Sequence, residues 1–384
     1  MLQSVLPPDA YLSDEILELE KERIFKKMWI FAGLKTTLAT RNAFLTRNIV
    51  GVPVVVTTPD GQTVRAYENL CAHRQMPIQS APFGKRGLVC PYHAWSYTAE
   101  EGALKGVANA SLYDMRASEK KQIRLREFAV KVIGNMIFVN LDQNPLPIED
   151  QFTDEFLNLI KDASSHFDSA YAYSVFDVKY NWKLNFENIL DFNHLPFIHP
   201  ESFYAIANKD GFIAGSNRPE SEIFPEDVSW DREQAAINGI RLSDLSYASI
   251  GSVNIEERWF TNLVRRYGED RSHYYNWYIY PNVNFGGVVG EYFYLQQYMP
   301  ISPGVMRYHM WVIMAERLSK RQDFTALLRA LMEGEKKVID EDTVFLENLQ
   351  ANIHQQAPRA LHGRYEFPLY RMGRWYRDNI LQTA

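Results

Sequence analysis

Cysteine is the rarest residue of this chain, with only 2 among 384 residues. So small a number excludes a scaffold held by several disulfides, and in a reducing compartment such cysteines serve as metal ligands or buried apolar groups. An excess of positive charge is also absent, since the formal net charge is −6. The sequence therefore gives no general attraction to nucleic acid or to an anionic membrane, and neither partner is expected.

Three kinds of segment are missing as well. No uninterrupted apolar run reaches about 18 residues, so no membrane-spanning helix is expected. The N-terminal residues lack the basic and apolar regions of a secretory signal peptide, which favours a cytoplasmic location. The sequence contains no G-x-G-x-x-G motif, so no nicotinamide or flavin domain is predicted, and electrons for redox chemistry would come from a separate protein.

Both cysteines stand close to a histidine. The first segment reads Cys71-Ala-His73 and the second reads Cys90-Pro-Tyr-His93. Two thiolates and two imidazoles from paired loops can bind one zinc ion or the two irons of a [2Fe–2S] cluster. Zinc fingers usually pair like ligands on one element, whereas each segment here supplies one Cys and one His. This arrangement favours the cluster, and a zinc-stabilised binding module is the alternative.

A second group of metal-ligand residues lies between positions 181 and 199. Glu187, Asp191 and His194 follow helical spacing, which predicts that they share one helical face. His199 lies five residues after His194 and would point elsewhere on a continuous helix. Pro196 stands between the two histidines and should end or bend the helix, which would bring the histidines together as a metal site.

A mononuclear iron bound by two histidines also needs one carboxylate, and this set leaves coordination positions open for O₂ chemistry. Acidic side chains are concentrated in a helical segment near the C-terminus. The candidates are Asp340, Glu341, Asp342 and Glu347. Acidic residues at such positions are often merely solvated, so the residues alone do not select one of them.

Together these segments resemble the α (terminal oxygenase) subunit of Rieske non-haem iron aromatic ring-hydroxylating oxygenases. The family pattern C-x-H-R…C-x-x-H-x-W-x-Y is followed by N-W-K-x-x-x-E-N…D-x-x-H-x-x-x-x-H and then by E-D-x-x-x-x-E-x-x-Q, in the family's order. The resemblance spans about residues 12 to 350. Gln75 and Ala94 depart from it, because they stand where glycine is frequent in the family.

The resemblance implies roles for individual residues. It implies that the [2Fe–2S] ligands are Cys71 and Cys90 on one iron and His73 and His93 on the other. It implies that the ligands of the mononuclear Fe(II) are His194, His199 and Asp342, with Asp340 as the second choice for the carboxylate. Asp191 would carry electrons between subunits by bridging His194 to His93 of a neighbouring subunit, and Glu187, Asn188 and Trp95 would support the two centres.

The resemblance also implies an α+β fold. A small antiparallel β Rieske domain at 43–147 would be inserted into a catalytic domain of helices over an antiparallel sheet, a helix-grip-like arrangement. Residues 1–42 would form the N-terminal helical part of the catalytic domain, and residues 148–384 would form its remainder. Apolar periodicity predicts a helix over 12–30.

The implied activity is that of a terminal oxygenase in aromatic hydrocarbon catabolism. It would use O₂ and electrons from a reductase or ferredoxin, ultimately from NAD(P)H, to hydroxylate or demethylate a small aromatic substrate as a mono- or dioxygenase. Family members form head-to-tail homotrimers, some with an added β subunit. The alternative is a Rieske electron-transfer or sensor protein without oxygenase turnover.

Overall fold

The computed structural model describes residues 2–206, 240–356, 360–363 and 366–382. The chain forms two compact units. The small unit contains Glu22–Gln151 and Leu157–Ser165, and the large unit contains Met1–Lys21, Phe152–Phe156 and His166–Ala384. Along the sequence the small unit is thus inserted into the large one. In the described part of the chain, each helix is too short or too polar to cross a membrane.

The small unit is built on a seven-stranded antiparallel sheet. The β-branched run of Val52–Thr57 favours a strand, and Val54, Val55 and Val56 are all fully buried in it. In order across the sheet, the strands are Ile30–Leu34, Met136–Asn140, Glu127–Ile133, Arg65–Glu68, Val52–Thr57, Ala43–Ile49 and Phe83–Lys85.

A second, three-stranded sheet of the small unit supports the cysteine segments. Its strands are Leu88–Val89, Ser96–Tyr97 and Leu104–Gly106. The loop that contains Cys90 and His93 joins the first two of these strands. The loop that contains Cys71 and His73 is closed by a β-bridge between Leu70 and Pro77. Both loops therefore have fixed ends.

The large unit consists of helices over an antiparallel sheet, as the sequence predicted. Six strands lie side by side, and the short strand Val264–Arg265 pairs with Val305–Arg317. In order, the six are Phe167–Val178, Val305–Arg317, Tyr292–Ser302, Val283–Val288, His273–Ile279 and Tyr247–Ser252. The α-helices of the described chain are Asp9–Leu12, Asp14–Glu20, Ala117–Gln122, Ile148–Gln151, Asp154–Ser165, Trp182–Leu190, Leu195–Ile198, Phe203–Ile206, Phe324–Asn352 and Phe367–Tyr376.

The helix predicted over 12–30 is shorter than expected. Ser13 caps the helix Asp14–Glu20 by accepting a hydrogen bond from the backbone of Ile16, and a π-helical turn continues it through Lys21–Phe25. The strand Ile30–Leu34 then begins, and all five of its residues are buried. A continuous apolar run of this length satisfies a buried strand as well as it satisfies a helix, which is why periodicity alone placed the boundary wrongly.

A buried ion pair ties the N-terminal helix to the helix that precedes the histidines. Glu20 accepts hydrogen bonds from Lys183 and Tyr376, and from the indole Nε1 of Trp182 at 2.7 Å. Glu20 is 1% exposed, so it needs these donors to compensate for its lost hydration. The helix Trp182–Leu190 is consequently held firmly at its N-terminal end.

Candidate metal centres

The first cysteine segment folds into a closed loop. The backbone N–H of Cys71 donates to the carbonyl of Met76 at 2.9 Å, and the N–H of Gln75 donates back to the carbonyl of Cys71 at 2.8 Å. These two bonds return the chain on itself within six residues. His73 stands at the tip of this loop, close to the cysteine that begins it.

The second segment repeats the same backbone pattern. The N–H of Cys90 donates to the carbonyl of Trp95 at 2.8 Å, and the N–H of Ala94 donates to the carbonyl of Cys90 at 3.1 Å. Ala94 and Gln75 occupy equivalent positions, four residues after each cysteine, and have φ angles of 55° and 57°. Glycine adopts this left-handed conformation at the least cost, which explains why the family often has glycine here. Gln75 and Ala94 adopt the same turn without it.

The paired loops bring both cysteines and both histidines together. Cys71 and Cys90 are buried, and the rings of His73 and His93 are 4.8 Å apart. The indole of Trp95 stacks flat on His73 at 4.8 Å, with 8° between the ring planes. The thiols are thus buried while the neighbouring imidazoles are partly exposed, which fits a cluster with one sulfur-bound and one nitrogen-bound iron.

The electrostatics of these groups fit a bound cluster. Burial raises the pKa of the Cys71 thiol, so its thiolate needs a positive charge nearby. Desolvation, followed by the proximity of His93, lowers the pKa of His73 and favours the neutral imidazole that binds metals. The Nδ1 atom of His93 is buried and has no hydrogen-bond partner among the described residues, as expected of an atom reserved for another ligand.

The second centre begins where the helix Trp182–Leu190 ends. Asp191 closes this end, because its Oδ1 accepts a hydrogen bond from the backbone of Asn193 at 2.8 Å. A separate short helix, Leu195–Ile198, follows with Pro196 in its first turn. The prediction that Pro196 ends the first helix was wrong. A proline in the first turn loses no intrahelical hydrogen bond, so Pro196 begins the new helix instead.

This interruption of the helix brings two histidines close to one carboxylate. The Oδ1 of Asp342 lies 2.9 Å from Nε2 of His199 and 3.7 Å from Nε2 of His194. One ligand atom from each of the three residues lies within 4.8 Å of the others. His199 is 1% exposed, and Oδ1 of Asp342 is buried without a well-formed hydrogen bond in the described chain. These are the donors and the spacing of a two-histidine, one-carboxylate iron site.

Neighbouring side chains orient the two imidazoles. The Oε2 of Glu341 lies 2.8 Å from Nδ1 of His199, and Ser202 donates to the same oxygen at 2.5 Å. Burial disfavours protonation of His199, but the carboxylates of Asp342 and Glu341 together raise its pKa above the ordinary value. The Nδ1 of His194 lies 3.7 Å from Oδ2 of Asp191, which is in reach after a small adjustment but is not a hydrogen bond.

Other acidic residues singled out in the sequence lie elsewhere. The Oε1 of Glu187 accepts a hydrogen bond from Tyr11 at 2.5 Å, so the predicted common face with His194 does not form. The helix ends at Leu190, and the residues beyond it no longer follow helical spacing. Asp340 is exposed and pairs with Lys336, and Glu347 accepts a hydrogen bond from the backbone of Lys179.

A cavity of about 370 Å³ opens beside the two histidines and Asp342. Asn188 and Asp191 line it and also line a second cavity of about 320 Å³, which contains Glu187. On the sheet side, polar and aromatic side chains project from neighbouring strands into the first cavity. They are Tyr274, Asn276, Asn284, Tyr292, Tyr294, Gln296 and Tyr308.

Glu335 is a cavity residue that the sequence reasoning missed. It lies on the helix Phe324–Asn352, two turns before Asp342 and on the same face, so that spacing was a signal in the sequence. Tyr292 donates a hydrogen bond to its Oε1 at 2.8 Å. Burial raises the pKa of Glu335 to about 7.

Comparison with protein families agrees with this geometry. The Rieske [2Fe-2S] domain family matches residues 28–138, and the ring-hydroxylating alpha subunit (catalytic domain) family matches residues 165–382, more than half of the chain. The chain belongs to the ring-hydroxylating alpha-subunit family. The resemblance noted in the sequence is thereby confirmed. The two matched domains together imply a Rieske cluster and a mononuclear iron as cofactors of this alpha subunit.

Several curated relatives share about 30% of their residues with this alpha subunit. The carnitine monooxygenase oxygenase subunit of Acinetobacter pittii is 30% identical over 200 residues, which cover 50% of this chain and 52% of that protein. The glycine betaine monooxygenase oxygenase subunit of Pseudomonas aeruginosa is 29% identical over 240 residues, 60% of this chain and 53% of the relative. The 2-aminobenzenesulfonate 2,3-dioxygenase alpha subunit of Alcaligenes is 31% identical over 196 residues, with coverage of 50% and 48%. The chain thus spans about half the length of these relatives.

Solved structures share the fold over nearly the whole chain. A crystal structure of a quaternary ammonium Rieske monooxygenase has a TM-score of 0.73 at 19% identity and covers 97% of this chain and 95% of its own. Naphthalene 1,2-dioxygenase from Rhodococcus has a TM-score of 0.71 at 17% identity, with coverage of 99% and 95%. At these identities the likeness concerns the fold, and it confirms the predicted α+β architecture.

Proposed function

We propose that this alpha subunit is the terminal oxygenase component of a multicomponent Rieske oxygenase. The observation that carries the proposal is the convergence of His194, His199 and Asp342 at the wall of a 370 Å³ cavity. A protein that only transferred electrons or sensed a redox signal would have no need of a second set of metal ligands that faces a cavity. Iron bound there would supply the reduction of O₂ next to the substrate.

Electrons would arrive at the cluster loops from a separate ferredoxin or reductase that draws on NAD(P)H. Cys71 and Cys90 would hold one iron of the cluster, and His73 and His93 would hold the other. Tyr97 supports this assignment, because its hydroxyl lies 3.2 Å from Sγ of Cys71. A hydrogen bond to a cluster sulfur raises the reduction potential and so helps the cluster to accept an electron.

Asp191 would connect the two centres across a subunit boundary in a homotrimer. Its Oδ2 faces Nδ1 of His194, and His93 of the neighbouring subunit would donate its free N–H to the same carboxylate. A carboxylate that accepts N–H groups from two metal-bound imidazoles orients both rings and makes them better donors to the metal. The catalytic iron would then receive its electron through Asp191.

The substrate class that we favour is a quaternary ammonium compound, in place of the aromatic hydrocarbon suggested by the sequence. Relatives named for carnitine and for glycine betaine support this choice. The four cavity tyrosines offer ring faces to a methylated cation, and the amides of Asn276 and Asn284 make the wall polar. An aromatic substrate remains the second candidate, supported by the 2-aminobenzenesulfonate dioxygenase relative.

Metal analysis and a turnover assay test the proposal together. Purified protein should contain about three irons and two acid-labile sulfides per chain, with the optical bands of a Rieske centre. With a surrogate reductase, O₂ uptake should be coupled to an oxidised product for choline, carnitine or glycine betaine. Zinc in place of iron would support the binding-module alternative. Two irons per chain and no coupled uptake with any ammonium or aromatic compound would support the electron-transfer alternative and overturn ours.

A further inference from the structure

Glu335 is an ionisable residue of the cavity that has no role in the proposed reaction. It lines the same cavity as the metal ligands, and its side chain is half-buried. The hydroxyl of Tyr292 is hydrogen-bonded to its Oε1, which fixes the carboxyl group against the sheet. A carboxylate taken out of water needs a counter-charge or several donors, and one phenol supplies neither in full.

Among the described residues, Glu335 forms no ion pair. The nearby basic side chains have other partners: Arg258 packs on the ring of Tyr292 but is paired with Glu291 at 2.8 Å. Lys336, the next residue on the helix, is paired with Asp340 at 2.5 Å, and Lys337, which lines the cavity, lies 4.0 Å from Glu341. The cavity therefore contains a negative group whose charge the surrounding side chains leave uncompensated.

The groups that face Glu335 across the cavity are tyrosines. Tyr274 and Tyr294 share a hydrogen bond of 2.5 Å between their hydroxyls, and burial above all, with a contribution from the negative charge of Glu335, raises the pKa of both. Both therefore stay neutral, as does Tyr292. Their ring faces and the carboxylate form one surface of negative potential, which matches a cation without N–H donors.

The sheet is built to make room for this surface. A Cβ atom at Gly286 would lie 2.2 Å from the hydroxyl oxygen of Tyr294, so only glycine at this position lets the phenol occupy its place. Gly286 pairs directly with Tyr294 in the sheet register. The arrangement of the tyrosines thus depends on the glycine opposite and is specified by the fold.

We propose that Glu335 is the residue that selects a small organic cation over a neutral molecule of the same shape. This inference rests on the proposed function in one respect only, namely that the cavity is the substrate site. Glu335 would hold the ammonium group through its charge, and the tyrosine rings would surround the methyl groups. A neutral isostere would fill the same volume and leave the carboxylate without compensation.

The test measures binding and so is independent of turnover. Choline and its neutral isostere 3,3-dimethylbutan-1-ol have nearly the same shape and differ in one positive charge. Their dissociation constants for the iron-loaded protein would be measured by isothermal titration calorimetry at pH 8. Wild type should bind choline roughly 10- to 100-fold more tightly than the isostere, the range expected when a charge pair forms in a water-poor site.

Three variants complete the experiment. Glu335→Gln preserves the size of the side chain and should bring the ratio of the two dissociation constants close to one. Tyr292→Phe removes the hydrogen bond that holds the carboxylate and should reduce the ratio by a smaller factor. Glu333→Gln is the matched control, since Glu333 is an exposed residue on the same helix outside the cavity, and it should match wild type.

The outcomes separate this inference from the proposed function. Persistence of the choline preference in Glu335→Gln, with a wild-type thermal transition as proof of folding, would overturn the role of Glu335. Failure of wild type to prefer choline to the isostere would overturn it as well. Selective choline binding without any O₂ uptake would support Glu335 while it contradicted the oxygenase proposal.

Discussion

Glu341 and His199 are joined by a contact of 2.8 Å between Oε2 and Nδ1. With a metal bound at Nε2 of His199, Nδ1 would carry the proton of the ring and donate it to Glu341. Nε2 lies on the side of Asp342, at 2.9 Å from its Oδ1. The two consecutive acidic residues thus have different roles: Asp342 faces the metal position, and Glu341 sets the tautomer of a ligand.

Replacement of Glu341 by alanine should weaken iron binding at the mononuclear site. The ring of His199 would lose its acceptor, and the loss of such a partner typically costs 10- to 100-fold in metal affinity or activity. Iron titration of the apo site, with the cluster intact as judged by its visible spectrum, would measure the change. Asp340→Ala is the control, because Asp340 is exposed and pairs only with Lys336 in the described structure. Equal affinities for the two variants would contradict the role of Glu341.

The ligand residue types could be predicted from the sequence because their spacing is local. Cys71 with His73 and Cys90 with His93 each lie within one loop, and His194 and His199 lie within one turn-rich segment. Asp342 is more than 140 residues further along the chain. Spacing could not choose it over Asp340, because that choice depends on how the long helix is rotated against the sheet.

What the sequence could not show is which acidic groups end up in the cavity without an ion-pair partner. Glu335 looks like any acidic residue of an amphipathic helix, and only packing reveals that it faces tyrosines from three strands. The sequence also did not predict that the helix ends at Leu190. The backbone N–H of Asn193 donates to the side chain of Asp191 in place of a helical carbonyl. Helix propensity alone does not predict which of these two hydrogen bonds forms.

Asp191→Asn should leave both metal centres loaded and nearly abolish turnover. An asparagine amide is neutral and replaces one accepting oxygen by an NH₂ donor, so it cannot accept N–H groups from two metal-bound imidazoles on its two sides as a carboxylate does. Rapid mixing of the reduced protein with O₂ and substrate would follow oxidation of the cluster, which should slow by about two orders of magnitude or more. A wild-type rate of cluster oxidation would contradict the bridging role and leave Asp191 as a solvated helix-end residue.

Tyr97→Phe should lower the reduction potential of the cluster. The hydroxyl of Tyr97 accepts from the backbone of Ala72 at 3.0 Å and so can direct its own hydrogen to Sγ of Cys71. One hydrogen bond of about 1 kcal/mol to the reduced cluster corresponds to a shift on the order of 40 mV. Tyr113→Phe is the control for a redox titration, since Tyr113 packs against His73 and Trp95 through its ring. Equal shifts in both variants would argue against a bond to sulfur.

Gln75 provides a test of backbone strain in the cluster loop. Its φ of 57° costs an L-residue about 1–2 kcal/mol. Glycine avoids this strain, but it also makes the unfolded chain more flexible, so that only part of the strain energy is gained as stability. Gln75→Gly should therefore stabilise the small unit by up to about 1 kcal/mol. Gln75→Val should destabilise it, because a β-branched residue is strongly disfavoured at positive φ. Thermal loss of the cluster absorbance would rank the three proteins, and a Val variant as stable as the Gly variant would contradict the strain.

The pKa of Glu335, about 7, leads to a prediction for the pH dependence of cation binding. Below pH 7 the carboxyl group is protonated and neutral, so choline affinity should rise as the pH increases and level off above it. From pH 6 to pH 8 the gain should be roughly tenfold. The charged and titratable groups around Glu335 are Tyr274, Tyr292, Tyr294 and Tyr308 across the cavity, Arg258 with its partner Glu291 behind Tyr292, and Lys336, Lys337 and Asp342 on its own helix.

The pH dependence that is due to Glu335 can be separated from that of the neighbouring tyrosines and histidines. The four tyrosines have pKa values raised by burial and do not titrate in this range. A change in charge at the histidines of the iron site would act on choline and hardly on the neutral 3,3-dimethylbutan-1-ol, so the comparison of wild type with Glu335→Gln isolates the charge of Glu335. The ratio of the two affinities should rise more steeply between pH 6 and pH 8 in wild type than in Glu335→Gln, as measured by calorimetry in buffers of matched ionic strength. An equal pH dependence of this ratio in the two proteins would show that the carboxylate is ionised throughout or does not contact the cation.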